Sequence, residues 1–215
     1  GEKDLVSFDM GGTTAKLALI EEGRPKVTNQ FEADTIKLKP GSGLPLIIPA
    51  LDLIEIGAGG GSIASLNMGV IAVGPESAGA EPGPAAYNKG GEQPTVTDAH
   101  VVLGYLPANQ KLGGDMEIRK DLAEAAVQKV AEAMGVPLKE AAEGIVRIAN
   151  EHMFGALRLI SVEQGYDPRE FALCGFGGAG PLHANALGIL MDAWPVIVPP
   201  SPGVLCAYGD ATTRV

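Results

Sequence analysis

Asp9-Met10-Gly11-Gly12-Thr13-Thr14-Ala15-Lys16 stands between two apolar runs, Leu5 to Phe8 and Ala15 to Ile20, the second closed by Glu21-Glu22-Gly23. That pattern predicts strand, tight turn, strand. Glycine lets the backbone come close to an anion. Exposed amides and the hydroxyls of Thr13 and Thr14 can donate to phosphate oxygens, with Lys16 following. Asp9, at a strand end, can hold a cation or its water. A bare hairpin turn would account for Gly11-Gly12 alone; the whole string between two strands favours phosphate.

The same device recurs further along. Leu51 to Ile56 alternates apolar and acidic residues as a half-exposed strand does, and it runs into Gly57-Ala58-Gly59-Gly60-Gly61-Ser62. The triple glycine makes room for a ligand, with Ser62 as a donor, or for a crossing backbone. Phe171 to Phe176 reads as a buried strand that Gly177-Gly178-Ala179-Gly180-Pro181 turns into a helix reaching about Leu190. Such a turn can present helix N-terminal amides to an anion, lie against adenine, or be only a tight strand-to-helix connection.

Between these anchors, Val27 to Phe31 suggests a third strand and Lys37 to Pro49 an irregular connection. Ile63 to Leu66 and Val70 to Val73 form a hairpin around Asn67-Met68-Gly69. Gly74 to Gly91, rich in Gly and Pro, excludes a regular element and reads as an ordered functional loop. Thr97 or Asp98 is suited to cap a short helix ending near Leu106. A helical segment spans about 115–161. Its first helix places Leu122, Ala125, Ala126, Val130 and Ala133 on one face, and its second runs from Leu138 to about Ser161 with a stripe from Ala141 to Leu157. Val196 to Val198 is the last strand. The chain opens on Gly1 close to a buried strand and ends at Val215 with no terminating helix, as a piece of a longer protein would.

Sixteen Lys plus Arg against 26 Asp plus Glu give a net charge of -10. Nucleic acid and anionic membranes are therefore unsuitable partners. An anion such as ATP must be met by backbone amides, helix N-termini and a divalent cation, a demand that 30 glycines suit. Cys174 and Cys206 lack zinc spacing and read as reduced, buried thiols of a cytoplasmic protein. No apolar stretch reaches the ~18 to 20 residues of a membrane helix, and no signal peptide is seen. No Ser/His/Asp or Cys/His triad and no GxSxG elbow is present. Of the titratable residues in the glycine-rich strings, Asp98 and His100 can ligate a metal, or Asp98 can cap a helix while His100 is a partly buried polar residue. His183 can contact substrate or nucleotide, the role of Glu76 is open, and His152 reads as a packing or surface residue.

Taken in series the strings become specific. Asp9 to Lys16 resembles the phosphate hairpins of the sugar kinase, Hsp70 and actin superfamily. Gly57 to Ile63, Gly74 to Pro84, Pro94 to Ala99, Phe176 to Ala184 and Pro199 to Ala207 are similar, in order, to the motifs of the hydantoinase A/5-oxoprolinase family and of the ATP-using subunits of acetone-type carboxylases. The resemblance implies one α/β lobe over 1–215: an actin-like ATPase (ribonuclease H-like) lobe with a mixed sheet and flanking helices. It implies ATP and Mg²⁺, with Asp9 as catalytic and metal-holding residue. Gly11, Gly12, Thr13, Thr14, Lys16, Gly59, Gly60, Gly61, Ser62, Gly177, Gly178 and Gly180 would hold the nucleotide. Full-length members carry another such hairpin near their N-terminus, which this chain lacks. The expected partners are therefore a missing N-terminal lobe, a small cyclic amide or carbonyl substrate and a hydantoinase B-type subunit. The activity implied is ATP-dependent activation of that substrate, with the isolated piece inactive. A non-catalytic ATP-binding assembly subunit and a small-molecule kinase are the alternatives.

Overall fold

The computed structural model describes residues 1–29, 31–33 and 41–213. β1 (Leu5–Met10) alternates half-buried and buried positions, so Val6, Phe8 and Met10 enter the core while Leu5, Ser7 and Asp9 face the other way. β2 (Ala15–Glu21) repeats the pattern with Ala15, Leu17 and Leu19 inside. The hairpin pairs in antiparallel register with Asp9 opposite Lys16. The far edge of β2 is shared by β3 (Arg24–Pro25) and β4 (Leu53–Ile56), both antiparallel to it.

On the other side of β1 lie β7 (Ala172–Phe176) and β8 (Val196–Ile197), both parallel. The six-stranded mixed sheet thus runs β8-β7-β1-β2-β3, with β4 also on β2. A separate antiparallel pair, β5 (Ser62–Asn67) and β6 (Val70–Ser77), follows the triple glycine.

Among the described residues five helices flank these strands: α1 (Val96–Leu103), α2 (Lys120–Met134), α3 (Leu138–Ile160), α4 (Gly180–Met191) and α5 (Leu205–Thr212). α3 buries Ala141, Ala142, Ile145, Ala149, Met153, Ala156 and Leu157, a stripe at helical spacing, and packs on β2, β4 and β6. α4 lies on β7 and β1. No helix among the described residues is long and apolar enough to cross a membrane.

Several sequence expectations are corrected in detail. The buried stripe of α2 is Ala123, Ala126, Val127, Val130 and Ala131, so Ala125 and Ala133 are solvent-facing; the apolar count was right and its phase was off. That helix starts at Lys120, because Met116–Glu117 pairs instead with Lys111–Leu112. Val27–Thr28 pairs with Ala50–Leu51 and Phe31–Ala33 with Leu44–Leu46, so the third strand read over Val27 to Phe31 falls in two short strands, and Leu44–Leu46 is a strand inside the stretch read as irregular. The part of that stretch up to residue 40 lies outside the described residues. In the β5-β6 turn the left-handed backbone falls on Met68 and Gly69, not on Asn67. β6 carries regular structure as far as Ser77, and a 3-10 turn forms at Ala85–Tyr87, both inside the segment expected to be irregular. The end of the chain does carry a helix, α5. Cys174 is half-buried and Cys206 exposed, rather than both buried.

The cap of α1 is Thr95, with Asp98 completing the capping box from inside the first turn. Asp98 is fully buried. Its Oδ2 accepts from Thr95 N at 2.9 Å, Thr95 Oγ1 at 2.7 Å and Ala85 N at 3.3 Å, and its Oδ1 accepts from Ala86 N at 2.8 Å. One carboxylate therefore ties the 3-10 turn to the helix start. Burial pushes its pKa up against the opposing pull of those donors. Asp98→Ala leaves these donors buried without an acceptor and is expected to cost about 3 kcal/mol of stability by urea denaturation. A loss under about 0.5 kcal/mol would show that this carboxylate does not hold the loop.

Candidate functional site

Three consecutive carbonyls at the end of β1 accept amides from two distant parts of the chain. Met10 O accepts from Ala179 N at 2.9 Å, Gly11 O from Gly60 N at 3.0 Å and Gly12 O from Gly61 N at 2.7 Å. Both glycine-rich turns therefore converge on the first hairpin through backbone alone. The close approach requires glycine: a Cβ on Gly59 would sit 2.4 Å from the Gly12 carbonyl carbon, and one on Gly61 2.9 Å from Gly12 O. Gly177, at φ +83°, would place a Cβ 2.4 Å from both Asp9 Oδ1 and Met10 O. Of the two roles read for the triple glycine, the structure shows the crossing backbone.

The tip itself is open. Gly11 N closes the turn on Thr14 O at 3.1 Å, while the amides of Gly12 and Thr13 have no protein acceptor among the described residues. Gly12 and Thr13 are exposed, and a Cβ on Gly11 or Gly12 would meet no atom within 4 Å. With its carbonyls occupied from behind, the tip presents donors outward, which is the polarity an anion needs.

The two sides of the hairpin differ. Asp9, Lys16 and Glu55 follow one another across β1, β2 and β4, with Phe176 on the other flank of Asp9. Lys16 Nζ is 3.1 Å from Glu55 Oε1 and also donates to Thr14 Oγ1. Asp9 Oδ2 accepts from Cys206 Sγ at 3.3 Å. That thiol is pushed up by partial burial and then by Asp9.

On the core side lies a cavity of about 240 Å³ lined by Gly11, Gly12, Gly60, Gly61, Gly178 and Ala179 of the hairpin and the two glycine-rich turns. The side chains of Tyr87, His100, Leu106, Leu112 and Leu182 line it as well. Asp9, Lys16, Gly59, Ser62, Gly177 and Gly180 do not line it. Ser62 is buried, and its Oγ accepts from Gly59 N at 2.9 Å, so this hydroxyl is engaged within the turn. Glu76, on β6, is outside the cavity lining as well.

Asp98 and His100 do not form a metal site: no group of three His, Cys, Asp or Glu able to hold an ion occurs among the described residues. His100 is fully rather than partly buried, as is His183, while His152 is on the surface. The rings of His100 and His183 meet edge to face at 4.7 Å between centroids. His183 Nδ1 is 2.6 Å from Asn150 Oδ1, and the Nε2 atoms of both histidines lack a partner among the described residues. Asn150 was missed in the sequence; its signal was a polar residue on the buried stripe of α3. Tyr87 and Gly79 were covered only by the reading of their loop as functional.

Over residues 1–215 the sequence matches the hydantoinase/oxoprolinase family. The chain belongs to that family. The caprolactamase alpha subunit of Pseudomonas jessenii is 42% identical over 217 residues, covering 100% of this chain and 30% of the relative. The crystal structure of that ATP-dependent caprolactamase superposes with a TM-score of 0.83 at 40% identity, over 97% of this chain and 29% of the other. Acetone carboxylase in its nucleotide-free form gives 0.84 at 30% identity, over 96% and 28%. 5-Oxoprolinase 1 of Arabidopsis thaliana is 35% identical over 225 residues, 97% of this chain and 17% of that protein. The chain thus spans less than a third of each. These neighbours share the mixed-sheet lobe with flanking helices, the α/β architecture implied by the actin-like resemblance.

Burial holds His100 down at about 4, and holds His183 well below its ordinary value with help from neighbouring His100. Both are neutral in the fold and take up protons more readily when the chain unfolds. The stability they lend is complete above pH ~6.5 and falls as the pH drops towards the folded values. For His100 alone the loss reaches about 3 kcal/mol by pH 4. Urea denaturation at a series of pH values should show this fall, and a His100→Leu variant should show a shallower one. A second test separates packing from ligand space: Gly59→Ala should destabilise the hairpin contact by ~2 kcal/mol or more, while Gly12→Ala changes stability by less than about 1 kcal/mol.

Proposed function

We propose that the full-length protein uses ATP to activate the carbonyl oxygen of a small cyclic amide or ketone, for ring hydrolysis or carboxylation, and that this chain supplies one side of the ATP site. The observation that carries the reading is the open tip of Gly11 to Thr14, its carbonyls held from behind and its donors turned outward. Phosphoryl transfer asks a protein mainly to position groups and stabilise charge, and backbone amides do this without adding side-chain positive charge to an acidic chain. The names of the relatives, ATP-dependent caprolactamase and acetone carboxylase, support the substrate class.

In this reading the carbonyl oxygen attacks the γ-phosphorus as the bond to the ADP oxygen breaks, giving ADP and a phosphorylated oxygen that is a better leaving group. For an amide, the N–H proton is lost as the carbon–nitrogen double bond forms; for a ketone, an α-C–H proton is lost as a carbon–carbon double bond forms, giving the enol phosphate. The nucleotide lies over the tip on the face of Asp9 and Lys16, with the adenosine end towards Gly177 to Gly180. Mg²⁺ takes one or two carboxylates together with substrate phosphates and water. Half-buried Asp9, beside the tip, is a donor of that kind, and the bound ion would neutralise phosphate charge. Asp9 serves equally to orient the attacking oxygen. A second lobe facing this side, and a hydantoinase B-type subunit, would complete the enzyme; the caprolactamase relative is itself named as a subunit.

Calorimetry of Mg-ATP on the full-length protein tests the placement. Gly12→Val is expected to weaken binding at least about tenfold, since each ~1.4 kcal/mol is a factor of ten. Asp9→Asn should weaken Mg-ATP but not metal-free ATP if the carboxylate holds the ion, and lower kcat alone if it orients the attacking oxygen. Unchanged binding and turnover in both variants would remove the phosphate from this hairpin. A stable phosphorylated product would favour the small-molecule kinase reading.

A further inference from the structure

The cavity behind the hairpin tip is not explained by the nucleotide. At about 240 Å³ it is smaller than the roughly 300 to 1,000 Å³ of pockets that take drug-sized ligands, too small for a whole nucleotide but suited to one small ring. Neither Asp9 nor Lys16 lines it. Its wall is apolar, from Tyr87, Leu106, Leu112 and Leu182, and no charged side chain among the described residues contributes to it. Gly11 and Gly12, over which the phosphates would lie, are among its lining residues.

We propose that this chamber seats the phosphoryl acceptor and selects an uncharged lactam or ketone over a carboxylate-bearing one, with His100 as the polar contact. The assignment rests on the nucleotide placement above. The Thr97 hydroxyl is committed to Gly60 O at 2.8 Å. His100 is a wall residue that is 1% exposed, and its Nε2 has no partner among the described residues. An unsatisfied buried nitrogen costs free energy that a ligand's N–H or C=O group can recover. The imidazole is held neutral by burial, so it offers hydrogen bonding but no countercharge. A carboxylate brought into this wall would be desolvated with no cation to meet it, a far larger penalty than a neutral amide pays. Edge-to-face contact with His183, itself fixed by Asn150, holds the His100 ring in place.

The probes are 2-pyrrolidinone and 5-oxoproline, the same five-membered lactam without and with a carboxylate. The full-length protein is assayed for ADP release with Mg-ATP. The uncharged lactam is expected to stimulate turnover with kcat/KM at least about tenfold above the carboxylate analogue. His100→Phe should raise KM for the lactam by about tenfold, the worth of one hydrogen bond, and leave KM for Mg-ATP unchanged. Leu106→Trp, which fills the chamber, should do the same more strongly, and Leu182→Arg should shift preference towards 5-oxoproline. Preference of the unaltered protein for the carboxylate, lactam kinetics unmoved in all three variants, or no stimulation by either compound while Mg-ATP still binds would each overturn the chamber assignment alone. Failure to bind Mg-ATP would instead overturn the nucleotide reading on which it rests.

Discussion

Three hydrogen bonds to the successive carbonyls of Met10, Gly11 and Gly12 organise the rest of the molecule. They join the first hairpin, the triple glycine and the strand-to-helix turn without using a side chain. A buried carbonyl must find a donor, and here the triple glycine supplies two and the strand-to-helix turn the third. Because peptide groups are polar at both ends, engaging the carbonyls from behind leaves the amides of Gly12 and Thr13 facing out. The outward donors of the tip are thus a consequence of how the core side is closed. The glycines divide by role: Gly59, Gly61 and Gly177 are required by close approach, whereas Gly12 and Gly178 border open space.

The same junction continues into α1. Gly60 O accepts from both Thr97 N and Thr97 Oγ1 at 2.8 Å, so the segment clamped on the hairpin also anchors the helix that carries His100. Thr95 and Asp98 then fasten the loop bearing Tyr87 to the same helix start. The chamber wall is therefore positioned by backbone and buried side-chain bonds from three directions. Its geometry is set before any ligand arrives, the preorganisation on which selective binding depends.

The sequence made the hairpin, the α3 stripe and the strand before Gly177 readable because each rests on a local period or a short turn signal. Asp9 to Lys16 is contiguous, so its chemistry could be seen residue by residue. The phase of α2 was misread because Ala125 and Ala133 are as apolar as Ala123 and Ala131, and only packing decides which alanines face inward. The cap was placed two residues late because Thr95, Thr97 and Asp98 all suit it; the approach of Ala85 and Ala86 selects Asp98 as the inner partner. The chamber was illegible for a different reason. Tyr87, His100, Leu112 and Leu182 come together only through long-range contacts, and no fixed spacing relates the four to one another.

The hairpin also separates two environments that the proposed phosphoryl transfer needs kept apart. On its outer face, Asp9, Lys16 and Glu55 are half-exposed, where a polyanion and its cation can exchange with solvent at tolerable desolvation cost. On its inner face the wall is apolar and the imidazole of His100 is held uncharged by burial. An acceptor that loses its water there must already be neutral, since an ion would have to shed its hydration without compensation. The strand period of two is what makes this possible in so short a segment. Asp9 and Met10 are adjacent in sequence and point to opposite sides, so a single turn can meet charge on one face and exclude it on the other.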